Sequence, residues 1–398
     1  MRRAWQKSYR MAPGARWLVR AAPSGDNKRV KTLHLIVDAA RLERAEAGGA
    51  SGRDALDRDA LDGAALDRAA LDRAAQILRA GGLVALPTET VYGLGANALD
   101  RNAVERIFAA KSRPAWDPVI VHIASEAMLD GLVEEVPAAA RLLMKHFWPG
   151  PLTLLLPRTP AVPDAVTAGR PLVGVRMPAH PVALELIRRA GVPVAAPSAN
   201  RFGHISPTTA QHVLDDLDGR IDAILDAGPS PHGVESTVLD PSTTPMVIYR
   251  PGAVTAEQIR QVAGPVEMYQ SPEPLRETPA EALPSPGVGI RHYAPRARLV
   301  LLDAPEGELG ARLEEAAKSE PGERLGVMLP EGVAAPASIA KERVFLWGRW
   351  NAPEELAQRL YAGLRALDAA GCTVILCPLP AAEGIGAAIR DRLNKART

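Results

Sequence analysis

From residue 83 onward the chain alternates short apolar runs with stretches whose apolar residues recur at helical spacing. Runs at 83–86, 152–156, 172–175, 192–196, 223–225 and 237–239 have the length and bounds of strands, and 30–37 reads as an earlier one. Helical spacing covers 101–111, 137–147, 181–190 and 208–217. Some strand runs follow each other with no helix between them, so the pattern predicts a mixed α/β sheet rather than a strictly alternating one. Residues 264–295 are rich in proline and poor in apolar runs, which predicts a linker. Beyond 296 strands at 299–302, 326–329, 344–347 and 373–376 alternate with helices at 308–318, 353–370 and 386–395, a small three-layer α/β pattern. The expected organisation is therefore an N-terminal extension and insert over 1–67, a domain over 68–263, a linker over 264–296 and a second domain over 297–398.

Two features sit before this pattern. Residues 1–25 hold five arginines and one lysine but no acid, and lack the apolar stretch of a secretory signal. The character changes at Val30, and the expectation is that the natural chain starts there. Residues 55–74 repeat Ala-Leu-Asp four times at a period of five. Five matches neither helix nor strand. The composition favours helix, but the leucines would spiral around it. The repeat is expected to be an inserted loop ahead of a helix over 68–80.

Composition narrows the classes. With 398 residues, two or three domains are expected, and 47% apolar residues suffice for a core. No apolar run approaches the roughly 18 residues of a membrane span, so no membrane partner is expected. Forty-seven basic against 46 acidic side chains give a net charge of +1, so any nucleic-acid contact must use a local patch. Two cysteines, Cys372 and Cys377, make no disulfide framework and suit a reducing cytoplasm as buried, inert thiols.

Five polar runs leave the ends of apolar ones. Pro87-Thr88-Glu89-Thr90-Val91-Tyr92-Gly93-Leu94-Gly95 supplies hydroxyls, a carboxylate and glycines that admit close backbone approach. Lys111-Ser112-Arg113-Pro114, with Asp117 and His122 after it, puts two cations within one turn, suited to phosphates. Gly174-Val175-Arg176-Met177-Pro178 ends a strand in an arginine that must reach water or an anion. Ala195-Ala196-Pro197-Ser198-Ala199-Asn200 runs on to Ser206-Pro207-Thr208-Thr209, at once a helix N-cap signal and an anion site. Gly233-Val234-Glu235-Ser236-Thr237-Val238 and Arg250-Pro251-Gly252 close the series. Phe147-Trp148-Pro149-Gly150-Pro151 reads as a rigid turn that presents the sheet. Each run alone has an ordinary structural reading as a solvated helix end, a cap or a turn. There is no phosphate loop and no zinc spacing, so a nucleotide would be held by scattered cations, hydroxyls and backbone groups.

In this order and spacing the runs resemble the YrdC/YciO family. With the Arg291-His292-Tyr293-Ala294-Pro295 linker and the C-terminal pattern, they resemble its long two-domain form, the threonylcarbamoyl-AMP synthases. The resemblance implies an α/β fold: a twisted mixed sheet around a large, basic, concave cavity, plus a small C-terminal three-layer Rossmann-like α/β domain. It implies a cytoplasmic nucleotidyltransferase that joins L-threonine, bicarbonate and ATP, with Mg²⁺ on the phosphates and no protein-built metal site. A tRNA threonylcarbamoyl transferase complex would take the product to tRNAs that read ANN codons, and a tRNA contact is also implied.

Carried over by motif, Thr90, His122, Arg176, the Ala196 backbone and Ser236 would hold threonine. Lys111 and Arg113 would be catalytic. Arg113, Asp117, the Leu172 backbone, Ser198, Asn200, Ser206, Arg250 and Tyr293 would hold ATP, Tyr92 would shape the pocket wall, and the linker would act as a lid. Asp117 stands where the family commonly has asparagine. Two competing readings are weighed. A carbamoyl transferase working through a carbamoyl-adenylate normally carries acylphosphatase and zinc-finger modules, which this chain lacks. A double-stranded RNA or tRNA-binding translation factor without catalysis would not need the full substrate motif set.

Overall fold

The computed structural model describes residues 31–47, 58–270, 283–285, 288 and 293–397. The expected start at Val30, the first part of the repeat and the pair Arg291-His292 lie outside them. The first unit opens with β1 (Leu33–Ile36), α1 (Ala39–Ala47), α2 (Arg58–Arg79), β2 (Val84–Leu86), β3 (Gly93–Asn97) and α3 (Arg101–Lys111). It continues with β4 (Ile120–His122), α4 (Ala138–Phe147), β5 (Leu152–Pro157), α5 (Asp164–Thr167), β6 (Leu172–Arg176), α6 (Pro181–Ala190) and β7 (Val194–Ala195). It closes with α7 (Ala210–Leu217), β8 (Ala223–Asp226), β9 (Thr237–Asp240), β10 (Met246–Arg250), α8 (Ala256–Ala263) and β11 (Val266–Met268). The strands form one mixed eleven-stranded sheet in the order β1-β8-β2-β3-β7-β4-β6-β5-β9-β10-β11.

The second unit comprises β12 (Arg298–Leu302), α9 (Leu309–Lys318), β13 (Leu325–Pro330), β14 (Val344–Gly348), α10 (Pro353–Ala369), β15 (Val374–Pro378) and α11 (Ile385–Arg397). Its four strands are all parallel, in the order β12-β15-β13-β14. Helix α9 packs Leu313 and Ala317 on one face, against Val327 and Leu376. Helices α10 and α11 cover the other face through Leu360, Leu364 and Ile389. Cys372 and Cys377 are free and buried there, and burial raises both thiol pKa values.

Two expectations are corrected. Among the described residues the repeat is helix, not loop. The long α2 runs through it, and its leucines do spiral: Leu66 is 46% exposed while Leu71, one repeat later, is fully buried beside Ala74, Ala75 and Leu78. Alanine and leucine propensity outweighs the imperfect period, because the helix needs only its last turns to bury an apolar stripe. Asp67 of the repeat is buried too, and accepts from Arg41 Nη1 at 2.8 Å and from the Asp38 backbone N–H at 3.1 Å. The second correction is in the linker, where Val266–Met268 adds an edge strand parallel to β10. A three-residue run was too short to read as a strand among prolines.

The two units share one apolar cluster. Val91, Ile205 and Val234 of the first pack with Trp347, Leu356, Leu360 and Tyr361 of the second. Gly233 makes a close approach: it has φ +69°, and a Cβ there would lie 2.4 Å from the Ala357 carbonyl oxygen. Only glycine meets both demands.

The helical reading of the repeat separates two leucines. Leu71→Ala should cost about 2–5 kcal/mol of stability and Leu66→Ala less than about 0.5 kcal/mol. A Leu71→Ala effect as small as that of Leu66→Ala in urea denaturation would place the repeat outside the core.

Candidate active site

Neighbouring strand ends bring the predicted runs to one cavity. His122 of β4 and Arg176 of β6 are register partners, and so point to the same face. The turn after β2 lays Thr88 and Thr90 across them, the chain leaving β7 adds Ala196, Pro197 and Ser198, and the ends of β9 and β10 add Ser236 and Arg250. The cavity has a volume of about 50 Å³ and is also lined by Arg113, Glu235 and the linker's Tyr293. Linker residues dock on the first unit through backbone bonds from Leu283 to Trp116 and from Ala294 to Gly203.

Three guanidinium groups converge here, each held by backbone oxygen. Arg176 donates from Nε to the Gly150 carbonyl at 3.1 Å and from Nη1 to Thr90 Oγ1 at 2.9 Å. Its Nη2 lies 2.6 Å from Glu89 Oε1. The expected rigid turn at 147–151 thus also presents an acceptor to Arg176. Arg113 donates to the carbonyls of Asp117 at 3.1 Å and Pro118 at 2.7 Å, and pairs with the Asp117 carboxylate at 2.9 Å. Arg250 bonds the Ser236 carbonyl through Nε and Nη2, and Ser236 Oγ at 3.0 Å. Ser236 Oγ also lies 2.8 Å from Thr153 Oγ1.

His122 is fully enclosed. Burial pushes its pKa down to about 3, with the Arg176 charge adding to the effect, so the ring is neutral. Its Nδ1 has no hydrogen-bond partner among the described residues.

Other predicted site residues stand behind the wall. Ser112, at φ 54°, ends α3 so that Lys111 and Arg113 diverge. Lys111 donates from Nζ to the carbonyls of Ser198 and Asn200, and burial holds its pKa well below the usual lysine value. It thereby fixes the turn that carries Ser198. Asn200 Nδ2 bonds the carbonyls of Arg201 and His204. Ser206 Oγ donates to Glu235 Oε1 at 2.6 Å. Burial raises the pKa of Asp117, which faces Arg113 rather than the cavity. Leu172 packs with Ile120, Leu155 and Val238, apart from the cavity lining. Tyr92 does not shape the wall: its ring is in the main core and its hydroxyl bonds the Gly228 carbonyl at 2.6 Å.

Sequence reasoning missed a buried polar node beside the cavity. Glu235 accepts from Ser206, from Arg392 of α11 at 2.7 Å, and from the Tyr361 hydroxyl of α10 at 3.1 and 2.9 Å. Tyr293 stacks on Tyr361 with ring centres 5.8 Å apart, and the Arg392 guanidinium lies 5.3 Å from the Tyr293 ring centre. Glu89 was missed as a partner of Arg176, although it stands inside the Thr88–Thr90 run. Arg392 and Tyr361 gave no signal, because an arginine or tyrosine on an amphipathic helix reads as surface or core.

Comparison with known proteins decides the family. Residues 76–252 match a family described as telomere recombination, Sua5/YciO/YrdC, and residues 254–397 match the threonylcarbamoyl-AMP synthase C-terminal domain. The chain belongs to the threonylcarbamoyl-AMP synthase family. The synthase of Pyrococcus abyssi is 45% identical over 81% of this chain and 92% of its own length. That of Bacillus subtilis is also 45% identical, over 81% and 91%. The crystal structure of P. abyssi Sua5 complexed with L-threonine superposes with a TM-score of 0.79 at 40% identity, covering 92% of this chain and 98% of that one. The expected twisted mixed sheet with a second, C-terminal sheet is therefore the family's fold.

The neutral His122 sets a pH dependence. Its folded pKa, about 3, is below the usual 6.5, so the unfolded chain takes up a proton that the native one does not. Stability is complete above about pH 6.5 and falls as the pH drops below it. From about pH 7 to about pH 5, His122→Asn should remove about 2 kcal/mol of that fall. His180, depressed to about 4 by burial, keeps its own share. An unchanged difference between the two pH values in urea titrations would mean that His122 is protonated in the fold.

Proposed function

We propose that this chain makes L-threonylcarbamoyl-AMP and pyrophosphate from L-threonine, bicarbonate and ATP in the cytoplasm. The observation that carries the reading is the convergence of Arg113, Arg176 and Arg250 on one cavity beside the neutral His122. The threonine amine adds to bicarbonate with loss of water. The resulting carbamate oxygen attacks the α-phosphorus, and pyrophosphate leaves. Two anions must be brought together and charge stabilised as it develops, which fixed cations and oriented donors accomplish without a covalent nucleophile.

In this reading Arg176 holds the threonine carboxylate, with Thr90, His122, Ser236 and the Ala196 backbone around it. Arg113, Ser198 and Arg250 face the phosphates, with Lys111, Asn200, Asp117 and Ser206 supporting that wall. The cavity must widen for ATP to enter, since about 50 Å³ holds only a few waters. Mg²⁺ fits as part of the nucleotide rather than as a resident ion. The two carboxylates nearest the cavity, Glu89 and Glu235, are engaged by arginines, and no cluster of three metal-ligating side chains occurs among the described residues. A threonylcarbamoyl transferase complex then carries the group to tRNA. No described helix is long and apolar enough to cross a membrane.

Pyrophosphate release by the purified chain with ATP and Mg²⁺ should need both threonine and bicarbonate. Release that ignores threonine would point to a different acceptor. Arg176→Ala should weaken threonine binding by about 2–5 kcal/mol, since it also strands Glu89. Unchanged affinity by calorimetry would remove Arg176 from the pocket.

A further inference from the structure

Glu235 places a carboxylate on the wall of a cavity whose proposed occupants include the anionic ATP and bicarbonate. A negative charge facing nucleotide phosphates in a nearly dry site weakens their binding. What neutralises it comes from the C-terminal unit. Arg392 of α11 donates from Nε to Glu235 Oε2 at 2.7 Å, and the Tyr361 hydroxyl of α10 reaches both carboxylate oxygens. Arg392 is only 1% exposed, and its remaining nitrogens are taken by Asp391 at 2.5 Å and the Pro251 carbonyl at 2.9 Å. It therefore stands behind the wall and does not line the cavity. The other charged groups around Glu235 are Arg250 of β10 and, beyond Arg392, Asp391 and Lys395 of α11. Arg250 bonds Ser236 instead of Glu235, and lines the cavity.

We propose that Arg392 is a positioning residue for nucleotide binding. By neutralising Glu235 from behind, it keeps a buried negative charge off the phosphates and leaves Arg250 turned towards the substrate. The C-terminal unit thus supplies the counter-charge that makes the cavity fit for an anion. The identity of the anion rests on the adenylate-forming reading above. Without Arg392, Arg250 is the nearest remaining cation to Glu235. Glu235 then either repels the phosphates or draws Arg250 away from them, and both outcomes weaken ATP binding. Removing the Glu235 charge as well should cancel the defect.

The test is a charge cycle in the full-length chain: Arg392→Met, Glu235→Gln and the double variant, with ATP affinity by calorimetry, KM and kcat, and urea denaturation. Arg392→Met should raise the Kd and KM for ATP about tenfold or more while kcat changes less. The double variant should return to within about threefold of the unmodified chain, and Glu235→Gln alone should bind ATP more tightly than it. That last variant keeps the test open should Arg392→Met fail to fold. Unchanged ATP affinity in Arg392→Met overturns the proposal. So does a folded double variant as poor as the single one, or weaker ATP binding by Glu235→Gln. A wild-type chain that binds ATP but releases no pyrophosphate overturns the proposed reaction, and the ATP affinities still decide the role of Arg392.

Discussion

Buried guanidinium groups set the terms for everything around the cavity. An arginine does not shed its proton, so each one enclosed here needs acceptors supplied by the protein. Four of the five backbone carbonyls that serve them lie in or next to proline turns: Gly150 between two prolines, Asp117 and Pro118, and Pro251. Proline breaks the strand ladder and has no N–H, so carbonyls beside it are left to point elsewhere. The Trp-Pro-Gly-Pro, Asp-Pro and Arg-Pro-Gly sequences are thus the means by which a sheet edge becomes a cage for cations. Gly252 belongs to the same device: a Cβ there would lie 2.3 Å from the Thr237 backbone nitrogen, so the turn after Arg250 closes only on glycine.

Carbonyl acceptors solvate a guanidinium without cancelling its charge. Carboxylates do cancel it, and two of the three arginines that line the cavity face one. Arg176 faces Glu89, Arg113 faces Asp117, and among the described residues Arg250 has Ser236 as its only hydrogen-bond partner. The neutral His122 adds no charge next to Arg176. The wall thereby keeps a positive bias in a region of low dielectric, where a fixed field acts strongly on developing phosphate charge. Because the cations are locked by the backbone before any ligand arrives, little reorganisation remains for the reaction itself.

The sequence disclosed the strands, most helices and the cavity's own side chains, since a polar run at the end of an apolar one is a local signal. Thr90, His122, Arg176, Ala196, Ser198, Ser236, Arg250 and Tyr293 all reach the cavity that their motifs suggested. Which residues face it and which stand behind it was not legible. Lys111 and Arg113 are two positions apart, and only the left-handed turn at Ser112 sends one to the backbone of the wall and the other into the cavity. Partners distant in sequence were also hidden. Glu235 and Arg392 are 157 residues apart, and nothing local to α11 marks its arginine as the buried partner of a carboxylate in another unit. The helical repeat was misread for a related reason: period alone cannot show that Leu71 has a neighbouring helix to pack on.

The docking of the two units and the shaping of the cavity are coupled at the level of single residues. Val91 follows Thr90, Ile205 precedes Ser206, and Val234 precedes Glu235. In each pair the apolar member inserts into the cluster shared with Trp347, Leu356 and Leu360. The polar member bonds Arg176 in the first pair and joins the Ser206–Glu235 node in the other two. Each short segment thus grips the C-terminal unit with one side chain and forms the site with its neighbour. A shift of the C-terminal unit therefore cannot leave these three segments in place. The same contacts that bury apolar area between the units also hold Thr90 on Arg176 and Glu235 on Arg392, which makes docking and the charge of the cavity one equilibrium rather than two.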